Sequence, residues 1–137
     1  MRGQLAGENI ARYIYAGNAT FTIRNPNTGN RFTYKVRAPR NQPEASVRFV
    51  SVLRGPENTR DYCYIGYIKN NRFVYGGRKA SVNPEAPSVR AFNWFFHNPQ
   101  SPKIEVYHEG KCGKCGRALT VPSSVTMGLG PHCAGKI

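Results

Sequence analysis

Acidic residues are scarce in this chain: seven Asp and Glu stand against twenty Lys and Arg over 137 residues, a formal charge of +13. Carboxylates this few and this scattered give no grounds for a two-metal nuclease centre. The positive field they leave uncompensated favours polyanions over basic partners. Long apolar runs are also missing. No stretch reaches the roughly 18 apolar residues of a membrane-spanning helix, and the opening MRGQLAGENIARYIYAG lacks the apolar core of a secretory signal. The expectation is a soluble, cytoplasmic protein with no membrane partner. Cysteine is confined to four positions, Cys63 alone and three clustered near the end, which suits a metal site in a reducing compartment better than a disulfide scaffold. There is no internal repeat, low-complexity tract or flexible linker.

Apolar residues make up 39% of the chain and aromatics 12%, the latter spread from Tyr13 to Tyr107, enough for one core at this length. Tyr13-Ile14-Tyr15 reads as the start of a strand. ATFTIR and RFTYKVR alternate apolar with polar residues around the turn NPNTGN, so Phe21 and Ile23 share a face with Phe32, Tyr34 and Val36. VRFVSVLRG is a further strand. Tyr62 to Lys69 and Arg72 to Tyr75 form a hairpin about Asn70-Asn71, since asparagine tolerates positive φ, and Gly66 marks a bulge or a close approach. The period then changes: Val89, Phe92 and Phe96, with Phe95 beside them, predict a helix between Pro84 or Pro87 and Asn98-Pro99 that covers a sheet face. Trp94 lies off this stripe and is read as a packing residue, an exposed stacking role being the alternative. KIEVYH is the last strand. The fold expected is α+β: a twisted antiparallel sheet of about five or six strands with one packed helix over residues 1–107, and a zinc-knuckle module packed on it over residues 108–137.

HEGKCGKCGRALTVPSSVTMGLGPHC, residues 108 to 133, carries the remaining chemistry. Cys112-x2-Cys115 has the spacing that puts two sulfurs on one tetrahedral ion, with Gly113 and Gly116 relaxing the backbone around them. Cys133 returns as a third ligand after a turn begun at Pro122-Ser123-Ser124 and bent at Gly128-Leu129-Gly130-Pro131. For the fourth position His108 is the first choice; His132, water or a distant donor such as Cys63 are the others. A closed Cys3His set means structural Zn²⁺ and not catalysis, and a redox role for CGKC is the less economical reading.

The segment resembles a small zinc-ribbon-like domain of unknown function found in many actinobacterial and bacteriophage proteins, sometimes appended to helicase-like or other DNA-associated chains. The resemblance covers about residues 108 to 134. It rests on Cys112, Cys115 and Cys133 as metal positions and on the frame Gly116, Arg117, Leu119, Thr120, Pro122, Ser124, Gly128, Gly130 and Pro131. An upstream histidine of such proteins matches His108. A frequent acidic residue is replaced here by Ser123, and His132 occupies a variable place. The resemblance implies a zinc module, DNA association and a phage origin, hence a host-cell cytoplasm; it implies no enzymatic activity.

Two functions follow as expectations. The first is a zinc-stabilised protein that binds nucleic acid, DNA before RNA, or joins a nucleic-acid complex. Lys111, Lys114 and Arg117 would contact phosphates near the knuckle, and Arg72, Arg78 and Lys79 would extend the basic surface. Tyr62, Tyr64 or Tyr67 would stack on bases only if their face is open, the plainer reading being a core role. The second is a module that intercepts an acidic host protein. No catalytic set emerges. Cys63 and His97 lack a third partner, and read more simply as a sheet thiol and a helix-end imidazole.

Overall fold

The computed structural model describes residues 3–57 and 60–134. The elements run β1 (Gln4–Leu5), α1 (Asn9–Tyr15), β2 (Asn18–Arg24), β3 (Arg31–Arg37), β4 (Arg48–Leu53), β5 (Tyr62–Lys69), β6 (Arg72–Tyr75), a 3-10 turn (Gly77–Lys79), α2 (Pro87–His97), β7 (Glu105–His108), α3 (Pro122–Met127) and α4 (Pro131–Ala134). Among the described residues seven strands form one sheet in the order β1-β7-β2-β3-β4-β5-β6, antiparallel at every pairing. The expectation of a mostly antiparallel α+β chain holds, with one strand more than the sequence signals suggested.

The hairpins form where alternation and turn chemistry agree. Phe21 pairs with Tyr34 and Ile23 with Phe32. Asn70 and Asn71 take positive φ, 53° and 63°, the mirror-image turn whose twist suits a two-residue hairpin. Between β4 and β5 the register shifts: Val50 faces Gly66, but Ser51 faces Tyr64, leaving Ile65 as the extra residue of a bulge. Gly66 is there because a β-carbon would collide with the Val74 carbonyl and stand 2.9 Å from the Phe73 ring.

The first ends of the chain differ from expectation. Tyr13-Ile14-Tyr15 closes helix α1 and starts no strand. Ile10, Tyr13 and Ile14 are spaced by three and four, and all three are buried, so the helical face wins over the β preference of Tyr-Ile-Tyr.

Helix α2 has Pro87 in its first turn and ends at Asn98, before a proline that disfavours further helix. Phe92 and Phe95 are fully buried. The Phe92 ring lies 5.0 Å from both Tyr34 and Phe73, and Phe95 lies 5.8 Å from Phe21. Burying each phenylalanine is worth about 1.5–3 kcal/mol. Trp94 does not pack into this core: it is 42% exposed and borders a groove of about 420 Å³ with Phe32 and Ile104. A second, smaller cluster gathers Ala16, Cys112, Leu119, Val125, Leu129 and Cys133.

Candidate metal centre and the open face of the sheet

After β7 the chain folds into a narrow turn. Lys111 bridges Ala118, the Leu119 N–H donates to the Gly110 carbonyl at 2.9 Å, and the Cys112 N–H donates to Arg117 at 2.8 Å. This brings the two cysteines of CGKC onto one side, with the Lys114 N–H directed at Cys112 Sγ at 3.4 Å. Helix α3 then ends at Gly128, whose φ of 71° turns the chain back, and α4 returns Cys133. The sulfurs of Cys112, Cys115 and Cys133 all lie within 4.8 Å of one another, close enough to hold a metal ion. Cys112 and Cys133 are buried and Cys115 is exposed.

The thiols are not equivalent. Burial works against ionisation of Cys112, but backbone N–H groups of Cys115, Gly130 and Lys114, helped by the Cys115 thiol, outweigh it and hold this thiol down to about 7. Burial pushes Cys133 up to about 11, and the two neighbouring thiols push the same way.

His108 does not join this group. Its Nδ1 accepts from the Gly110 N–H at 2.9 Å, and its Nε2 meets the Val125 carbonyl at 2.6 Å, which requires the proton on Nε2. Both nitrogens are occupied by backbone. The reason is strand alternation: Val106 and His108 are the buried residues of β7, so the ring points under the sheet, 5.7 Å from Tyr13. Cys63 is also elsewhere, opposite Val52 and packed against the main core, and His97 bonds the Asn93 carbonyl at the end of α2. His132 lies on α4, its side chain outside the described residues.

The thiol segment is joined to the sheet at β2. β7 pairs with β2 only from Phe21 to Arg24, and the groups left beyond that end find other partners. The Asn18 N–H donates to the Gly113 carbonyl at 2.7 Å. The Tyr13 hydroxyl donates to the Thr20 carbonyl at 2.7 Å and accepts from its N–H at 3.1 Å. Arg12 reaches the Ala134 carbonyl.

Helices α1 and α2 bury their apolar residues in the core on one side of the sheet. The opposite face carries Thr20, Thr22, Arg24, Arg31, Thr33, Lys35 and Arg37 from β2 and β3. Beside them stand Phe49 and Ser51 from β4, then Tyr62, Tyr64 and Tyr67 from β5. Phe49 and Val74 are exposed, and the three tyrosines are half-buried. One register row runs Asn18, Arg37, Phe49, Tyr67, Val74. Gly116 of the thiol turn abuts Asn18 at its end. Lys35 sits 4.2 Å over the Tyr62 ring. The acids here face cations: Glu105 pairs with Arg24 at 2.7 Å, and Glu109 acts on Arg37 and Lys35.

The basic residues singled out by sequence divide between the two sides of this face. Lys111, Lys114 and Arg117 are exposed on the thiol turn, Lys111 near enough to oppose the charge of Lys35. Arg72 stands at the tip of the β5–β6 hairpin, with Arg78 and Lys79 on the turn after β6. Lys35, Arg37 and Phe49 lie between them, and the alternating run Arg31, Thr33, Lys35, Arg37 puts its cations on this face. Comparison with curated proteins and with solved structures gives no match. Residues 105–137, the thiol turn with the strand that leads into it, are similar to a family of unknown function (DUF6011).

Proposed function

We propose that this chain is a zinc-stabilised nucleic-acid-binding protein, DNA being its main partner. The observation that carries the reading is the basic, aromatic face of the sheet, which among the described residues runs without a covering helix up to the turn that holds the thiols. Zn²⁺ fits the donor set. Three thiolates on a tetrahedral ion sit about 3.8 Å apart, compatible with sulfurs gathered within 4.8 Å, and the Lys114 amide supports the charge on Cys112. The ion's role is structural, at the centre of the smaller cluster, and the chain behaves as a zinc knuckle packed on a sheet with helices α1 and α2 beneath. The resemblance to phage and actinobacterial modules supports the same partner.

Native mass measurement of the metal-loaded protein with single-stranded DNA, duplex DNA and RNA at two salt concentrations tests this. One ion per chain and complexes that fade as salt rises are expected, because phosphate contacts release counterions. Absence of any complex at low salt overturns it. A second reading, a module that intercepts a host protein, draws on the Trp94 groove on the helix side; binding that persists at high salt and is lost in Trp94→Ala would favour it.

A further inference from the structure

We infer that single-stranded DNA crosses the open face of the sheet from the thiol turn to the β5–β6 hairpin, with bases stacked on Phe49 and Tyr67. This rests on the nucleic-acid reading and narrows it.

The bulge is the first reason. Tyr62, Tyr64 and Tyr67 do not share a period of two, so a regular strand would send Tyr67 to the opposite face from the other two. The extra residue Ile65 corrects the phase. Tyr62 faces Leu53, Tyr64 faces Ser51 and Tyr67 faces Phe49, all on the side away from the core. Phe49 and Tyr64 meet edge to face at 6.3 Å, leaving ring area open to solvent. Ring faces left open on a strand surface offer the flat partner on which an unpaired base stacks.

The charge is the second. The rings are flanked by Lys35 and Arg37 on one side and by Lys69 and Arg72 on the other, a pair facing each other across the hairpin. From β7 to β6 the sheet spans five strand steps, about 24 Å, room for about four extended nucleotides. In a duplex the base faces are hidden, so this surface can stack only with unpaired bases. The threonine hydroxyls of the face already have partners: Thr22 bonds Thr33 at 2.7 Å, and Thr20 accepts from Arg37 at 2.9 Å.

Fluorescence anisotropy of labelled oligothymidylate, oligouridylate and a DNA duplex with the zinc-loaded full chain is the test. Oligothymidylate should bind at least about ten-fold tighter than the duplex. Phe49→Ala and Tyr67→Ala should each weaken it about ten-fold or more, and Trp94→Ala, on the other face, should leave it unchanged. An oligothymidylate carrying 5-iododeoxyuridine should photo-crosslink to wild-type β4 or β5, a result independent of how the variants fold. Salt-sensitive binding with equal duplex affinity, unaltered variants, tighter oligouridylate or crosslinks elsewhere would overturn this inference while leaving the broader reading intact. No binding at low salt would end both.

Discussion

Tyr13 joins the thiol segment to the sheet. Its hydroxyl satisfies both backbone groups of Thr20, its ring stands against Phe21 and His108, and Gly113 and Gly128 approach it so closely that a β-carbon at either would strike the ring. Burial drives its phenol far above the ordinary range, so it remains a neutral donor. Tyr13→Phe strands a buried N–H and a buried carbonyl and should cost about 2 kcal/mol or more in urea unfolding, with the metal count unchanged. His108→Ala should behave alike. It removes the bond to Val125, lowering the melting temperature, while native mass still shows one ion per chain; an intact fold without the ion would restore His108 as a ligand. Metal loading itself must release protons. Cys133, held up near 11, is protonated at neutral pH, so at least one proton per ion should appear in a weakly buffered dye titration. As pH falls through about 7, Cys112 protonates too, and metal affinity should drop more steeply. The three cysteines were legible because CxxC and a returning thiol at ligand spacing point to one cluster. His108 stands outside that group because strand alternation, not nearness along the chain, decides which way its ring points.

Among the elements, β5 shows how one inserted residue sets a surface. Its aromatic positions looked irregular in sequence, and the plain reading placed most of the tyrosines in the core. The bulge at Ile65 turns that irregularity into a single aromatic face, and it depends on Gly66 lying flat against β6. Gly66→Ala pushes a β-carbon into the Val74 carbonyl and the Phe73 ring. It should cost about 1–3 kcal/mol in chemical denaturation, as overpacking does, and should also weaken nucleic-acid binding by disturbing Tyr64 and Tyr67. The hairpins and α2 were readable because alternation, turn residues and prolines agree locally. α1 was not, since seven residues give only one turn of period beyond the first and Tyr-Ile-Tyr suits a strand equally well. β1 has two residues and no periodicity at all; the partner β7 makes it a strand.

At the scale of the molecule, two clusters of unequal size share one wall. Among the described residues the sheet side buries eighteen apolar residues and the thiol side six, two of them the cysteines themselves and one, Ala16, at the end of α1. A cluster this small cannot offset the entropy of ordering the segment after His108 without a cross-link. Removing the ion should therefore act locally first. With a chelator, trypsin should cut at Lys111, Lys114 or Arg117, exposed residues of the thiol turn, while the sheet with Phe92 and Phe95 at its centre resists. The same loss frees Gly113 from Asn18 and uncovers Tyr13, so the remaining fold should melt at a lower temperature than the loaded protein. Loss of the whole sheet signal in step with the first cut would mean that the two clusters form one cooperative unit, and that the ion supports the open face directly instead of only the turn at its edge.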